Sequence, residues 1–202
     1  MGIRILGTGS YLPPRVVTND DLAKPLNTSD EWIYSHTGIH ARHVAEEGDS
    51  ASTMGTKAAK LALEAANVKP EDIGLIVVAT STADYNPFPS TACLVQAQLG
   101  CTNAGAFDLQ AACSGFVYAL EQARGFLNFY PEKKALVIGS ECLTRVVNWA
   151  DRSSCILFGD GAGALVLGND EAPGVAATHT KAYTILGADG TGANFIVRTG
   201  GT

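Results

Sequence analysis

Of the residues in this chain able to do chemistry, Cys113 occupies the position best suited to it. It lies in the stretch Asp108-Leu-Gln-Ala-Ala-Cys-Ser-Gly. There a short apolar strand, Ala104 to Asp108, runs into helical spacing marked by Phe116, Leu120, Ala123 and Leu127. The first amides of a helix lack internal partners, and the helix dipole adds partial positive charge, so a sulfur at such a junction is favoured as thiolate. The small neighbours Ala111, Ala112, Ser114 and Gly115 leave room for a carbonyl to approach and for backbone amides to polarise it. That pattern suits a nucleophile forming an acyl thioester. The residues alone leave open the alternative of a buried cysteine packed as a small hydrophobe.

The other cysteines, Cys93, Cys101, Cys142 and Cys155, form no Cys-x-x-Cys pair, and an odd total of five fits reduced thiols better than a disulfide framework. Metal binding is not expected. A net charge of -6, a sequence pI near 5.1 and the absence of a Lys/Arg cluster argue against nucleic acid or an anionic membrane as partner. No apolar run reaches spanning length and the start lacks a secretory apolar region, so the expected location is cytoplasmic.

The elements that must position Cys113 read as an α/β fold. Short β-rich runs at Ile3 to Leu6, Leu75 to Ala79, Ala104 to Asp108, Ala135 to Ile138 and Ala164 to Leu167 alternate with helical stretches. One helix spans Ser50 to Ala66 with Met54, Ala58, Leu61, Ala62 and Ala65 on one face, and another opens at Ser90 and closes at Gly100. Residues 1–170 form the α/β unit, and 171–202, rich in glycine, read as a linker or the start of a further part. Gly7-Thr-Gly could suggest a dinucleotide loop, but Pro13 and Pro14 point to a loop where that motif needs a helix. Gly159-Asp-Gly-Ala-Gly reads as a tight connection between strands at Cys155 to Phe158 and Ala164 to Leu167, its glycines supplying positive φ.

Taken together and in order, Ile5-Leu-Gly-Thr-Gly-Ser-Tyr-Leu-Pro, Thr28-Ser-Asp-Glu-Trp-Ile, Gly74-Leu-Ile-Val-Val-Ala-Thr, Phe88-Pro-Ser-Thr-Ala-Cys, the Cys113 helix and the Gly159 loop resemble β-ketoacyl-acyl-carrier-protein synthase III. The resemblance implies a thiolase-like layered fold, of which this chain is the N-terminal half. It implies a homodimer, and a reaction in which Cys113 takes an acyl group from acyl-coenzyme A before malonyl-acyl-carrier protein decarboxylates and attacks it. Coenzyme A is then a substrate, and no cofactor is expected.

By the same resemblance Trp32 and Arg152 sandwich the coenzyme A adenine, with Thr28 a neighbouring polar contact. Leu143 and Phe158 line the acyl pocket, and Phe88 closes the pocket of the neighbouring subunit. Without it, Trp32 is a half-buried helix residue, Arg152 a surface charge, and the other three core packing. His36 stands where a related member carries an arginine for phosphate, and as a mostly neutral side chain it puts that contact in question. The family's catalytic histidine and asparagine belong to motifs that do not occur here. His36, His40, His43 and His179 fall in non-catalytic segments. The missing groups are expected from a second-half polypeptide or segment, without which condensation should not proceed. Two other readings stay open: a thiolase-fold acyltransferase of specialised metabolism with a non-carrier acceptor, and a non-catalytic partner subunit.

Overall fold

A computed structural model describes residues 3–169, 183–195 and 197 of the protein. Most of the expected 171–202 linker, and His179 within it, lie outside the described residues. The elements in chain order are β1 (Ile3–Tyr11), β2 (Val16–Thr18), α1 (Asn19–Ala23), α2 (Asp30–Thr37), β3 (Ala41–His43), α3 (Ala51–Ala66), β4 (Ile73–Ala79), α4 (Thr91–Leu99), β5 (Gly105–Leu109), α5 (Gly115–Phe129), β6 (Lys134–Cys142), α6 (Arg152–Cys155) and β7 (Asp160–Asn169).

Five strands form one mixed sheet in the order β1-β7-β6-β4-β5, with β4 parallel to both β5 and β6 and β7 antiparallel to both β6 and β1. The short β2–β3 pair stands apart from it. Helices cover both faces, which explains why β4 and β6 are continuous apolar runs. Ile76, Val78, Leu136 and Ile138 join α3 and α4 in one core cluster, while Val77, Ala79, Ala135 and Val137 join α5 in another. Burying each such branched side chain contributes about 1.5–3 kcal/mol. The α/β class and all five main-sheet strands are as expected, although β1, β6 and β7 extend well past their apolar cores because ladder pairing continues into polar residues.

Three expectations are corrected. On α3, Leu61 is 49% exposed and Ala65 is also exposed, whereas Ala59 and Leu63 are buried. The helix turns its smallest stripe to β1, because a Cβ on Gly7 would meet the Ala66 amide nitrogen at 2.4 Å and one on Gly9 would meet the Ala58 carbonyl oxygen at 2.2 Å. These glycines thus sit in a strand that continues to Tyr11, with the loop and its prolines following it. They serve close helix–strand contact, and the element directly after their strand is β2, not a helix whose N-terminus could receive a phosphate.

The Cys155 to Phe158 strand is not formed. Asp151 accepts from the Ser153 amide at 2.9 Å and caps the one-turn helix α6, which buries Cys155 and Ile156 against Leu22 and Ile33. The following glycines do not make a positive-φ turn, since Gly161 and Gly163 belong to β7. A Cβ on Gly159 would approach the Arg42 Cβ to 3.0 Å.

Candidate functional site

The parallel strands β4, β5 and β6 end on one side of the sheet, and the antiparallel β7 starts there. Cys113 sits at that rim. After Leu109 the chain turns through Ala111 (φ -143°, ψ 34°) and Ala112 (φ 44°) into a 3-10 turn at Ala112–Ser114, and only then into α5. The helix therefore starts two residues later than expected. A left-handed alanine costs about 1 kcal/mol, and the segments on either side of it are packed on the sheet: the Thr80 amide donates to the Leu109 carbonyl at 3.2 Å, and Phe116 lies over Gly139. The tight point is Gly139 of β6, where a Cβ would come within 3.2 Å of the Phe116 ring.

Cys113 and Cys93 are exposed, while Cys101, Cys142 and Cys155 are buried. Burial pushes the Cys101 and Cys142 thiols up to about 11 and raises that of Cys155. Cys113 thus combines exposure with a helix-entry turn. Asp108, quoted in the sequence motif without a role, accepts from the Thr91 and Ala92 amides at 2.7 Å each. It ties the start of α4 to the strand that delivers Cys113, a negative charge at a helix N-terminus.

Trp32 and Arg152, far apart in sequence, are brought together. Ser29 caps α2 by accepting from the Trp32 amide, and the Arg152 guanidinium lies 4.4 Å from the centre of the Trp32 ring. Arg152 Nη1 also donates to the Asn27 carbonyl at 2.6 Å. His36 stacks on Trp32 with centroids 4.3 Å apart, and its Nδ1 lies 2.7 Å from the Trp32 carbonyl oxygen, a contact that needs the proton on Nδ1. Thr28 Oγ1 is buried beside this group without a hydrogen-bond partner. The stack is closed: a flat ring between Trp32 and Arg152 requires about 7 Å, two van der Waals gaps.

Leu143 and Phe158 are both half-buried, Leu143 opening a 3-10 turn (Leu143–Arg145) at the end of β6. Phe88 is 79% exposed, on the segment between β4 and α4. Two acids that the sequence reading did not single out anchor that segment. Glu141 accepts from the Ser81 amide at 2.7 Å and the Thr82 hydroxyl at 2.6 Å, and Asp84 accepts from Ser50 Oγ, Ser52 Oγ and the Ser52 amide at the head of α3. Burial raises the Glu141 carboxyl above its ordinary value despite these donors. No short-range motif signals them, because their partners are 32 to 60 residues away in sequence.

Of the remaining histidines, His40 is exposed and stacks on Tyr34, and His43 Nδ1 meets the Pro13 carbonyl at 2.6 Å. Two clefts, of about 610 and 470 Å³, are lined by other residues than Cys113. Among the described residues no group of three His, Cys, Asp or Glu side chains is arranged to hold a metal, and no helix is long and apolar enough to cross a membrane.

Comparison with known proteins bears on this geometry. The sequence profile of the family described as 3-oxoacyl-[acyl-carrier-protein (ACP)] synthase III matches residues 107–190, which include the Cys113 turn and β7. A β-ketoacyl-[acyl-carrier-protein] synthase III of Xylella fastidiosa (strain 9a5c) is 56% identical over 179 residues, covering 89% of this chain and 55% of that protein. Among solved structures, 3-oxoacyl-[acyl-carrier-protein] synthase III from Aquifex aeolicus VF5 superposes with a TM-score of 0.81 at 53% identity, over 85% of this chain and 55% of the other. The priming β-ketosynthase of the R1128 polyketide biosynthetic pathway superposes with a TM-score of 0.79 at 42% identity, over 85% and 51%. The chain spans about half the length of the curated relatives it matches. The α/β fold is that of these thiolase-like neighbours.

Proposed function

We propose that the chain, which is similar to β-ketoacyl-[acyl-carrier-protein] synthase III proteins, is the nucleophile-bearing portion of a condensing enzyme of that family that initiates fatty-acid synthesis. The observation that carries this reading is Cys113, exposed at the turn into α5. Its thiolate attacks the acyl-coenzyme A carbonyl, the new C–S bond forms, and coenzyme A leaves as thiolate. Malonyl-acyl-carrier protein then loses carbon dioxide, its carbanion takes the acyl carbon, and the Cys113 thiolate is restored. Exchange between thioesters is nearly isoenergetic, and the covalent intermediate holds one reactant against the other.

Coenzyme A is a substrate here. Trp32 and Arg152 part to admit its adenine, and the unpartnered Thr28 hydroxyl offers it a hydrogen bond. Leu143 and Phe158 line the acyl pocket, and Phe88, free of its own subunit, reaches the partner's. A homodimer is in keeping with that exposure and with β5 as an edge strand of the sheet. The histidine and asparagine that stabilise the decarboxylation enolate come from a second half. Val117 and Phe129 on α5, and Ile185 and Phe195 beyond it, are exposed apolar surface for that half to cover. A cytoplasmic setting agrees with five free cysteines.

Intact mass before and after acetyl-coenzyme A, with Cys113→Ala as control, tests the reading. An added acetyl group that vanishes in the variant supports it, and an unlabelled thiol in the assembly that carries the second half overturns it. The 42% identity to a polyketide priming enzyme supports one second reading, acyl transfer in specialised metabolism to another acceptor. Product formation that does not require malonyl-acyl-carrier protein would favour it. Full activity of an assembly bearing Cys113→Ala would instead make this chain a non-catalytic partner.

A further inference from the structure

Asp160, in the Gly159 motif, carries no role in the chemistry above, yet it is 5% exposed and is satisfied entirely by uncharged donors. Its carboxylate accepts from the Thr144 amide at 2.9 Å, the Thr144 hydroxyl at 2.5 Å and the Ala45 amide at 2.7 Å. Among the described residues no salt bridge to it is formed. A buried carboxylate without a cation is costly, and an amide in its place would avoid the charge. What an amide cannot do is accept at both of its ends. The position therefore calls for two acceptor oxygens at one point.

Those oxygens act on the turn Leu143–Arg145. Thr144 is 6% exposed and is gripped through both its amide and its hydroxyl. On the other flank Arg145 Nη2 donates to the Asp49 carbonyl at 2.6 Å and the Glu46 carbonyl at 3.2 Å. Leu143 is held between this grip and the end of β6, where Cys142 pairs with Asp160 across the ladder. Phe158 lies two residues before Asp160 on the same chain. One carboxylate thus ties together the two segments that carry the proposed acyl-pocket side chains.

We propose that Asp160 and Thr144 are a positioning pair that sets the Leu143 wall of the acyl pocket and so selects the length of acyl chain Cys113 accepts. This rests on the condensing-enzyme reading. In the assembly that condenses, the rate of Cys113 acylation is followed by intact mass with acetyl-, butyryl- and hexanoyl-coenzyme A. Thr144→Val, which removes the hydroxyl at nearly constant volume, shifts the acetyl-to-hexanoyl rate ratio by about tenfold, the scale of one or two methylenes in a pocket. Thr144→Ser keeps the ratio within about twofold of the unaltered protein. Leu143→Ala shifts the ratio too, and Thr144→Val adds nothing on that background, because the hydroxyl acts through Leu143.

Circular dichroism reports folding in each case. Should Thr144→Val not fold, Asp160→Asn and Thr144→Ala carry the same expectation. An unchanged ratio in the folded variants, or shifts from Thr144 and Leu143 that simply add, overturns the positioning role while Cys113 acylation still stands. If no acyl-coenzyme A acylates Cys113 in the unaltered assembly, the functional reading falls and takes this one with it.

Discussion

Replacing Gly9 by alanine should damage the fold far more than one methyl group ordinarily does. The added Cβ would stand 2.2 Å from the Ala58 carbonyl oxygen and 2.5 Å from the Ala62 amide nitrogen. Both atoms belong to helix backbone, so no side chain can rotate away. Restoring ordinary contact requires β1 and α3 to separate by about 1 Å, a gap that forfeits a quarter to a half of each dispersion contact across it. The helix face involved carries Met54, Ala58, Ala59 and Ala62, all fully buried. Overpacking costs about 1–3 kcal/mol where side chains can adjust, and here the upper end, about 3 kcal/mol, is expected.

Gly163→Ala is the control. Gly163 lies in β7 of the same sheet, has no positive φ, and a Cβ there would meet nothing within 4 Å. That change should be neutral or stabilise by about 0.5 kcal/mol through the unfolded chain. For a chain of this size the two variants should differ by roughly 10 °C in melting temperature, read by circular dichroism and checked by urea unfolding. Equal midpoints for Gly9→Ala and Gly163→Ala would refute the close contact as the reason for glycine in Gly7-Thr-Gly.

Three further outcomes are expected. Iodoacetamide at pH 8 should alkylate Cys113 and Cys93 rapidly, while Cys101 and Cys142, with thiols near 11, expose only about one thiolate in a thousand; early labelling of all five would contradict the burial. Glu141 binds its proton more tightly folded than unfolded, so its contribution to stability is greatest at low pH and declines as pH rises from about 4.5 through the raised native value. Urea midpoints of Glu141→Gln across that window should fall less steeply than those of the unaltered protein, and parallel curves would rule the effect out. Asp108→Ala should cost about 2 kcal/mol by stranding the Thr91 and Ala92 amides, with Asp108→Asn losing roughly half as much in the same unfolding assay; a null effect of both would mean the pair of bonds does not hold α4.

What could be read along the chain was whatever short-range physics governs. Ser50 and Ser90 cap the helices they precede, and Gly100 closes α4 in the left-handed region. The apolar runs of β4 and β6 announce strands buried on both faces, and the small residues around Cys113 announce a tight entry into a helix. Each signal spans fewer than about ten residues, so sequence suffices. The resemblance to the condensing-enzyme family then supplied Trp32 and Arg152 as a pair, which spacing could not, and the structure places them in contact.

Tertiary packing alone decided the rest. Periodicity put Leu61 on the core face of α3, but the approach of Gly7 and Gly9 turned the helix to present alanines and left Leu61 half outside. A run such as Cys155-Ile-Leu-Phe has strand propensity, yet the Asp151 cap and the pocket beside Leu22 and Ile33 made it a helical turn. Glu141, Asp84 and Asp160 found donors far along the chain, Thr144 excepted, and that chain must fold before their value shows. Local preferences amount to fractions of a kcal/mol per residue, whereas one steric overlap with helix backbone or one unsatisfied buried carboxylate costs several, so where the two conflict the three-dimensional contact prevails.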